Sequence, residues 1–545
     1  MRRTSRVTTA AEAAARDAAA IADGTPSFEL MLRAGTAAAA FILREFPDRL
    51  AHGVALFAGS GNNGGDAYVI AAQLARAGVA ARLHAAALPR TPDAERAAAL
   101  AAPYLREGAP DGGEGVVVDG LLGTGHRGAL RGAVATAAGT LSLARDRGAT
   151  LVALDLPSGL DASTGDIAEG SVPASVTLCF GSVKRGVLFQ RAHAGRVVVL
   201  DIGLRAPTEP DDSAWRHEDA SSVARLLPGT PWNAHKGTRG HVALVGGAPG
   251  MAGAIVLATR AALASGAGLA RAYVATPGVA AVQHGAPQAI ALPWPSLTEH
   301  EPHEPHEPHD SSDPSVVARA ADSPWGDAIA VGPGLGRSPA SFSLLQHAVQ
   351  HNAGRAFVLD ADALTLASMA GEFTGDRRTP ADTIAALTTH TGQVVLTPHP
   401  GEFARLIAEP APADWSRRAE ALVAFAARTR TTVLLKGTPT LIATPDGAPP
   451  TVVARGTALL ATGGSGDMLT GIIAALLAGG LDARVSAVLG ATAHGLASEI
   501  ATRGRGVRGL TLESVLAALP DAWREMAQPA TFHKDILSEF PTPVH

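Results

Sequence analysis

A single cysteine, Cys179, stands in a chain of 545 residues. One thiol excludes an intrachain disulfide and a thiolate metal cluster. It fits a reducing compartment, so a cytoplasmic location is expected. Aromatic residues make up only 4% of the chain, too few for base-stacking surfaces. A marked excess of one sign of charge is missing too. The formal net charge is -5, small for this length, and points to neither nucleic acid nor an anionic membrane as a partner. No run of about 18 uncharged apolar residues occurs, so no membrane span is expected. The start is basic at Arg2, Arg3 and Arg6, but the stretch 10–20 is broken by Glu12, Arg16 and Asp17 and lacks the apolar core of a signal peptide. A Walker-type motif is missing as well, so any phosphate site is not a P-loop.

Small and apolar residues are abundant. Hydrophobic content is 46%, with 60 glycines, a composition of globular α/β proteins. The length exceeds what one core supports, so two large domains are expected. Their bounds are read as 1–210 and 233–530, with a linker at 211–232 and a tail at 531–545. The linker region carries Pro207, Pro210, Asp211, Asp212, Pro228, Gly229 and Pro231, with a short helix near 220–227. A His-Glu-Pro repeat at 299–309 invites a metal reading, but a proline at every third residue removes helical ligand spacing. It reads as a solvated, polyproline-like insert spanning about 297–324.

The stretch that organises the chain is 461–471, Ala-Thr-Gly-Gly-Ser-Gly-Asp-Met-Leu-Thr-Gly. Small residues, one acid and an apolar run describe a loop that opens a helix. Glycines let backbone N–H groups approach a ligand, and a helix N-terminus turns them toward an anion. An aspartate there repels phosphate. It makes sense if a substrate hydroxyl loses a proton as a phosphoryl group arrives. A helix cap beside a glycine turn is the plain alternative.

In the first half, an apolar strand at 54–57 leads into 58–66, Ala-Gly-Ser-Gly-Asn-Asn-Gly-Gly-Asp, and then into helical sequence from Ala67. Strand, glycine-rich loop and helix begin a βαβ unit, with the loop at the ligand edge of the sheet. Asn62, Asn63 and Asp66 add oxygens that suit a hard cation, a ribose or a phosphate, although they are also ordinary turn residues. The pattern repeats where 116–118 ends in Asp119 and where 151–154 ends in Asp155. In a parallel sheet these acids and the Asn62–Asp66 loop share one edge. Lys184 is either a solvated turn lysine or a phosphate contact.

Four motifs, at 30–35, 61–66, 119–125 and 155–161, together resemble the NAD(P)H-hydrate epimerase domain over about residues 7–210. The resemblance implies a Rossmann-like fold. It implies that Asn63, Asp119 and Ser158 hold a potassium ion. It implies nucleotide contacts from Asn62, Asn63, Gly64, Gly65 and Asp66, from Gly123, Thr124, Gly125, His126, Arg127, Gly128 and Ala129, and from Asp155. Asp155 is the carboxylate expected to move a proton at C6 of the hydrated ring. One departure is Ala67, where the family usually has glycine.

The second half repeats the same architecture. Strands at 241–245, 328–331, 356–359, 393–396 and 432–435 each end in small or polar residues, with helical sequence between most of them. That is a doubly wound sheet. Lys436 suits a nucleotide phosphate, Gly463–Gly466 amides suit a transferring phosphoryl group, and Asp467 suits a base. His399 either orients substrate or is structural. Glu402 either caps a helix or organises Mg²⁺ through water, the cap being preferred.

His235-Lys236-Gly237, the 246–254 and 332–336 glycine runs, Asp360-Ala361-Asp362, 397–402, Leu435-Lys436-Gly437 and 461–471 resemble the ribokinase-like superfamily, and within it the ADP-dependent NAD(P)H-hydrate dehydratases. Coverage is about 220–528. The match implies nucleotide contacts at Lys436, Gly437, Thr438, Pro439, Thr440 and Gly466. It implies substrate contacts at Ala254, Gly334, His399 and Asp467. A departure lies at 456–460, Gly-Thr-Ala-Leu-Leu, where an Asn-Pro-Gly type turn is usual.

Together the two resemblances imply epimerisation of R- and S-NAD(P)HX and dehydration of the S form at the expense of ADP, with K⁺ in the first domain and Mg²⁺ in the second. The expected partners are these small molecules and further copies of the chain. The alternatives are a vitamin-type small-molecule kinase and a first domain that serves only as a binding or scaffold module.

Overall fold

The computed structural model describes residues 6–105, 112–204, 214–218, 220–294, 326–375, 377–528, 533 and 535–543. The His-Glu-Pro insert lies outside the described residues. Two compact units divide the chain, Met1–Ser222 together with Pro529–Pro543, and Val223–Gln528.

In the first unit the strands run β1 (Arg6–Thr8), β2 (Val54–Ala58), β3 (Ala81–Ala85), β4 (Val116–Gly120), β5 (Thr150–Leu154), β6 (Val176–Phe180), β7 (Val183–Lys184), β8 (Arg196–Leu200) and β9 (Trp215–His217). The main sheet has the order β8-β6-β5-β4-β2-β3, and all its pairs are parallel. Strands such as β2 and β4 are buried along their whole length, which is why β2 and the first three residues of β4 read as unbroken apolar runs. One face is covered by α2 (Ser27–Glu45) and the helix Asn62–Arg76, which bury Phe41, Ile42 and Ile70 against Leu56 and Val118.

Three features here depart from the sequence reading. The strand Ile536–Phe540, read as part of a tail, pairs antiparallel with β8 and closes that edge of the sheet. Residues 215–217, read as linker, form β9 and pair with β1. The glycine-rich stretch 62–66 is not a loop but the first turn of the helix Asn62–Arg76, so Ala67 lies inside that helix rather than at its first position. The reason is close packing. A Cβ at Gly64 would stand 2.0 Å from the Gly59 carbonyl oxygen, and one at Gly65 would meet Met31 at 2.6 Å.

The second unit holds β10 (His241–Val245), β11 (Leu269–Val274), β12 (Ile290–Pro293), β13 (Ala328–Val331), β14 (Ala356–Leu359), β15 (Val394–Leu396), β16 (Thr432–Leu435), β17 (Thr440–Ala443) and β18 (Thr451–Val453). Their order is β12-β11-β10-β13-β14-β15-β16-β17-β18, parallel as far as β16 and antiparallel beyond it. The two antiparallel strands, and β11 and β12, were not among the strands read from sequence. The turn from β16 to β17 carries a cis Thr438–Pro439 peptide.

The helix Ser465–Ala478 is apolar on nearly every side and buried from Met468 to Ala478. It crosses the helix Ala252–Ala264 so closely that a Cβ on Gly471 would stand 2.0 Å from the Ala258 carbonyl oxygen. Overpacking at such a contact costs about 1–3 kcal/mol. Gly471→Ala therefore lowers the stability of this unit by that amount in denaturant unfolding. An unchanged midpoint would show that the two helices separate freely.

Candidate functional sites

In the first unit, parallel β2, β4 and β5 are neighbours, so their carboxyl ends open onto one place. A cavity of about 760 Å³ lies there, a size suited to a nucleotide. Asn62, Asn63, Asp66, Gly123, Thr124, Gly125, His126 and Asp155 line it. Arg127, Gly128 and Ala129 are not in its lining. Arg127 is exposed and pairs instead with Asp161 at 3.0 Å. Gly64 and Gly65 face the packed interior described above.

Asp155 follows β5 in a left-handed conformation, φ 64°, rare for a residue with a side chain. Its N–H donates to Leu178 O at 2.7 Å. Its carboxylate accepts from the Phe180 N–H at 3.2 Å and from the Lys184 ammonium. Lys184 is 3% exposed, so it is not the solvated turn lysine of the sequence reading, yet it lines the cavity. Burial pushes its pKa down, but the Asp155 carboxylate more than offsets this and the net direction is up. Asp66 and Asp17 carry raised pKa values, chiefly from desolvation, with the negative charge of Asp155 adding to it.

Beside this group lies a set of hard oxygen ligands. Asp119 is 1% exposed. It accepts from Ser158 Oγ at 2.6 Å, from the Ser158 N–H at 2.8 Å and from the Leu121 N–H at 3.2 Å. Desolvation raises its pKa despite these donors. Asn63 Nδ2 donates to Leu122 O at 2.8 Å, while Asn63 Oδ1 is buried with no hydrogen-bond partner.

In the second unit Gly464, at φ 96°, precedes the helix Ser465–Ala478, whose first amide, on Ser465, donates to Thr462 O at 3.2 Å. Asp467 lies in the first turn. Its pKa is pushed up to about 7, first by desolvation, then by the negative charges of Asp360, Asp362 and Glu402, against the opposing charge of Lys436. Asp360, at the end of β14, is 1% exposed. It accepts from Lys436 Nζ at 2.6 Å and from Thr470 Oγ1 at 2.7 Å. Gly466 lies directly against this pair, since a Cβ there would be 2.8 Å from Lys436 Nζ. Gly334 and Ala254 touch each other, a Cβ on the glycine meeting Ala254 Cβ at 3.3 Å. Gly437 and Thr438 are exposed, and Thr440 Oγ1 donates back to Gly437 O at 3.1 Å.

His399 and Glu402 form a reciprocal cap on the helix Pro400–Ile407. His399 Nδ1 accepts from the Gly401 N–H at 3.0 Å, and Glu402 Oε2 accepts from the His399 N–H at 2.9 Å. The cap reading of Glu402 holds, and the His399 ring keeps half its surface open. Desolvation and the Lys436 charge lower the His399 pKa, so the ring is neutral at pH 7.

Sequence reasoning gave no role to four of these groups. In the sequence Asp17 is only a charge interrupting an apolar stretch, and Asp360 and Thr470 fall inside glycine-rich or acidic motifs. So does Asp362, which accepts from the Gly336 N–H at 2.9 Å and from Arg337 Nε at 2.8 Å. For Asp360 and Asp362 the signal is an acid at a strand end or in a first helical turn, while Asp17 and Thr470 lie within helices and carry no such signal.

Residues 27–186 match a family described as the YjeF-related protein N-terminus, and residues 242–521 match one described as NAD(P)H-hydrate dehydratase. Among curated proteins, the bifunctional NAD(P)H-hydrate repair enzyme Nnr of Moorella thermoacetica is 34% identical over 92% of this chain and 93% of its own length. The enzyme of the same description from Escherichia coli is 31% identical over 91% and 89%. That of Pyrobaculum aerophilum is 32% identical over 92% and 95%.

Proposed function

The chain belongs to the bifunctional NAD(P)H-hydrate repair enzymes, and from that premise we propose how its two units divide the repair. The first unit interconverts R- and S-NAD(P)HX. The second dehydrates the S epimer to NAD(P)H at the expense of ADP, giving AMP and phosphate. The observation that carries this reading is Asp467, held near pKa 7 in the first turn of a buried helix beside Lys436.

Asp467 takes the proton of the C6 hydroxyl as that oxygen attacks the terminal phosphoryl group of ADP, and AMP leaves. The amides of the Gly463–Gly466 turn and Lys436 take up charge on the moving phosphoryl group. Phosphorylation turns hydroxide into a good leaving group. Departure of phosphate with loss of the C5 proton then restores the C5=C6 bond. Gly437, Thr438, Pro439 and Thr440 hold the nucleotide, while Ala254, Gly334 and His399 position the hydrated ring. Mg²⁺ bound with ADP would neutralise phosphate charge, and Asp360 beside Lys436 would offer it a hard oxygen ligand.

In the first unit Asn62, Asn63, Asp66 and residues 123–126 hold the nucleotide, and Asp155 exchanges a proton at the C6 substituent. A potassium ion fits Asn63, Asp119 and Ser158. The buried, unpartnered Asn63 Oδ1 and the buried Asp119 carboxylate are an oxygen set that a cation would satisfy. Bound there, the ion would supply positive charge at the cavity.

The test is recovery of reduced nicotinamide absorbance from chemically hydrated NADH of both epimers, with ADP, Mg²⁺ and K⁺. Full recovery is expected. A stop at the S fraction would remove the epimerase assignment, and phosphate transfer without NADH recovery would restore the kinase alternative. In the same assay, replacing K⁺ by Li⁺ slows epimerisation and leaves dehydration of the S epimer unchanged. Asn63→Ala removes the K⁺ dependence. Equal epimerisation rates in the two salts would sink the potassium assignment. A cytoplasmic setting accords with the single buried thiol.

A further inference from the structure

The helix α1 (Ala10–Ala22) buries none of its residues, although its sequence is apolar along one stripe. That stripe, Ala13, Ala14, Asp17, Ala18 and Ile21, faces the cavity of the first unit. Ile21 at its end is 42% exposed. Positions four apart share a helix face, so one acid sits in the middle of a small-residue wall. A wall of alanines leaves room for a flat ligand to pack against it, with Asp17 as its one polar side chain.

The placement of α1 is fixed at its N-terminal end. The strand before it, β1, pairs in parallel with β7, and Thr8 is in register with Lys184. Thr8 Oγ1 bonds Ser182 Oγ at 3.0 Å. Glu12 pairs with Arg185 at 2.7 Å, and the Ala10 N–H donates to Ser163 Oγ at 3.1 Å. The strand pair that places Lys184 beside Asp155 thus also places α1. Among the described residues Asp17 has no hydrogen-bond or ion-pair partner, whereas the Asp155 carboxylate is taken by Lys184.

We propose that Asp17 is a second acid–base residue of the epimerase, working opposite Asp155 on the substrate held against α1. This rests on the epimerase reading above. Inversion at C6 needs both a proton acceptor and a proton donor. The C6 hydroxyl gives its proton to the Asp155 carboxylate, the C6=O bond forms and the C6–N1 bond breaks. N1 takes the proton carried by Asp17. After the aldehyde turns its other face, N1 adds back and returns its proton to Asp17, and Asp155 reprotonates the oxygen. Nothing is consumed. Desolvation raises the Asp17 pKa, which favours the protonated state this role requires.

The test uses the full chain and purified R epimer, with direct dehydration of S epimer as the control in the second unit. Asp17→Asn is expected to lower epimerisation kcat about 100-fold, with KM within about twofold. Asp17→Glu is expected to recover a measurable part of the rate. The groups near Asp17 are Arg16 on its own helix, Asp66, Asp155 and Lys184, with Asp93 and His126 also on the cavity wall. The wild-type rate falls as pH rises through the raised Asp17 value and the donor is lost, and Asp17→Asn lacks that limb. An Asp17→Asn rate within about twofold of wild type would overturn the proposal, as would equal loss in the Glu variant with an unchanged pH profile. A lower melting temperature of the first unit in both variants, in step with the rates, would also overturn it. A wild-type chain that does not epimerise at all would remove the underlying reading instead.

Discussion

Asp467→Asn lowers ADP-dependent dehydration of S-NAD(P)HX by about 10³-fold and leaves epimerisation intact. The amide keeps the shape of the side chain but cannot take the hydroxyl proton. The Gly463–Gly466 turn and Lys436 still bind nucleotide, so the loss appears in kcat. The pH dependence follows from the raised pKa of about 7. The base is active only when ionised. Wild-type kcat/KM therefore falls roughly tenfold per pH unit below that value and levels above it. Stability runs the other way. A carboxyl raised on folding from its ordinary 3.8 favours the folded state in its protonated form. That contribution is complete below the ordinary value and is lost as pH rises through about 7. At pH 8 the asparagine variant is thus slower but melts higher. A variant retaining more than a tenth of wild-type kcat, or melting lower at pH 8, would remove Asp467 from the role of base.

Asp155→Asn acts on both activity and stability. Epimerisation falls by about 10²-fold or more. The substitution also leaves the Lys184 ammonium buried, at 3% exposure, without its carboxylate. Breaking one half of a buried ion pair costs about 3–5 kcal/mol. The folded pKa of Lys184 is raised. The stability it contributes is therefore complete below its ordinary 10.5 and disappears only as pH rises through the folded value, so the loss in Asp155→Asn is full at pH 7. The double variant Asp155→Asn, Lys184→Met removes both charges and recovers most of the stability, but none of the epimerisation. Denaturant unfolding with the two activity assays separates these effects. If the single variant unfolds like wild type, Lys184 does not depend on Asp155 for its charge.

Much of this molecule is legible one segment at a time. Unbroken apolar runs at 54–58, 116–118, 151–154, 242–245, 328–331 and 356–359 form parallel strands because both faces are covered. Asp119, Asp155 and Asp360 stand at strand ends, where a parallel sheet opens. The 463–467 glycine–acid turn announces a helix start, and Gly464 adopts the left-handed backbone that such a turn requires. All of these depend on residues within a few positions of one another.

The tertiary structure decided what those residues face. Lys184 meets Asp155 across 29 positions, Lys436 meets Asp360 across 76, and Thr470 meets Asp360 across 110. No local pattern distinguishes a lysine that will be buried against an acid from one left in solvent. The residues at 62–66 read as a loop because glycine and asparagine favour turns. They are helical because Gly64 and Gly65 let that helix settle onto Gly59 and Met31. The short strands 215–217 and 536–540 carry too little pattern to announce themselves and exist because β1 and β8 offer open edges. Sequence by itself determined the two α/β units, their ligand edges and the acids placed there. Only the packed chain decided which of those acids is paired, which is raised in pKa and which, like Asp17, is brought to the cavity by register, because burial and charge neighbours are properties of the assembled sheet.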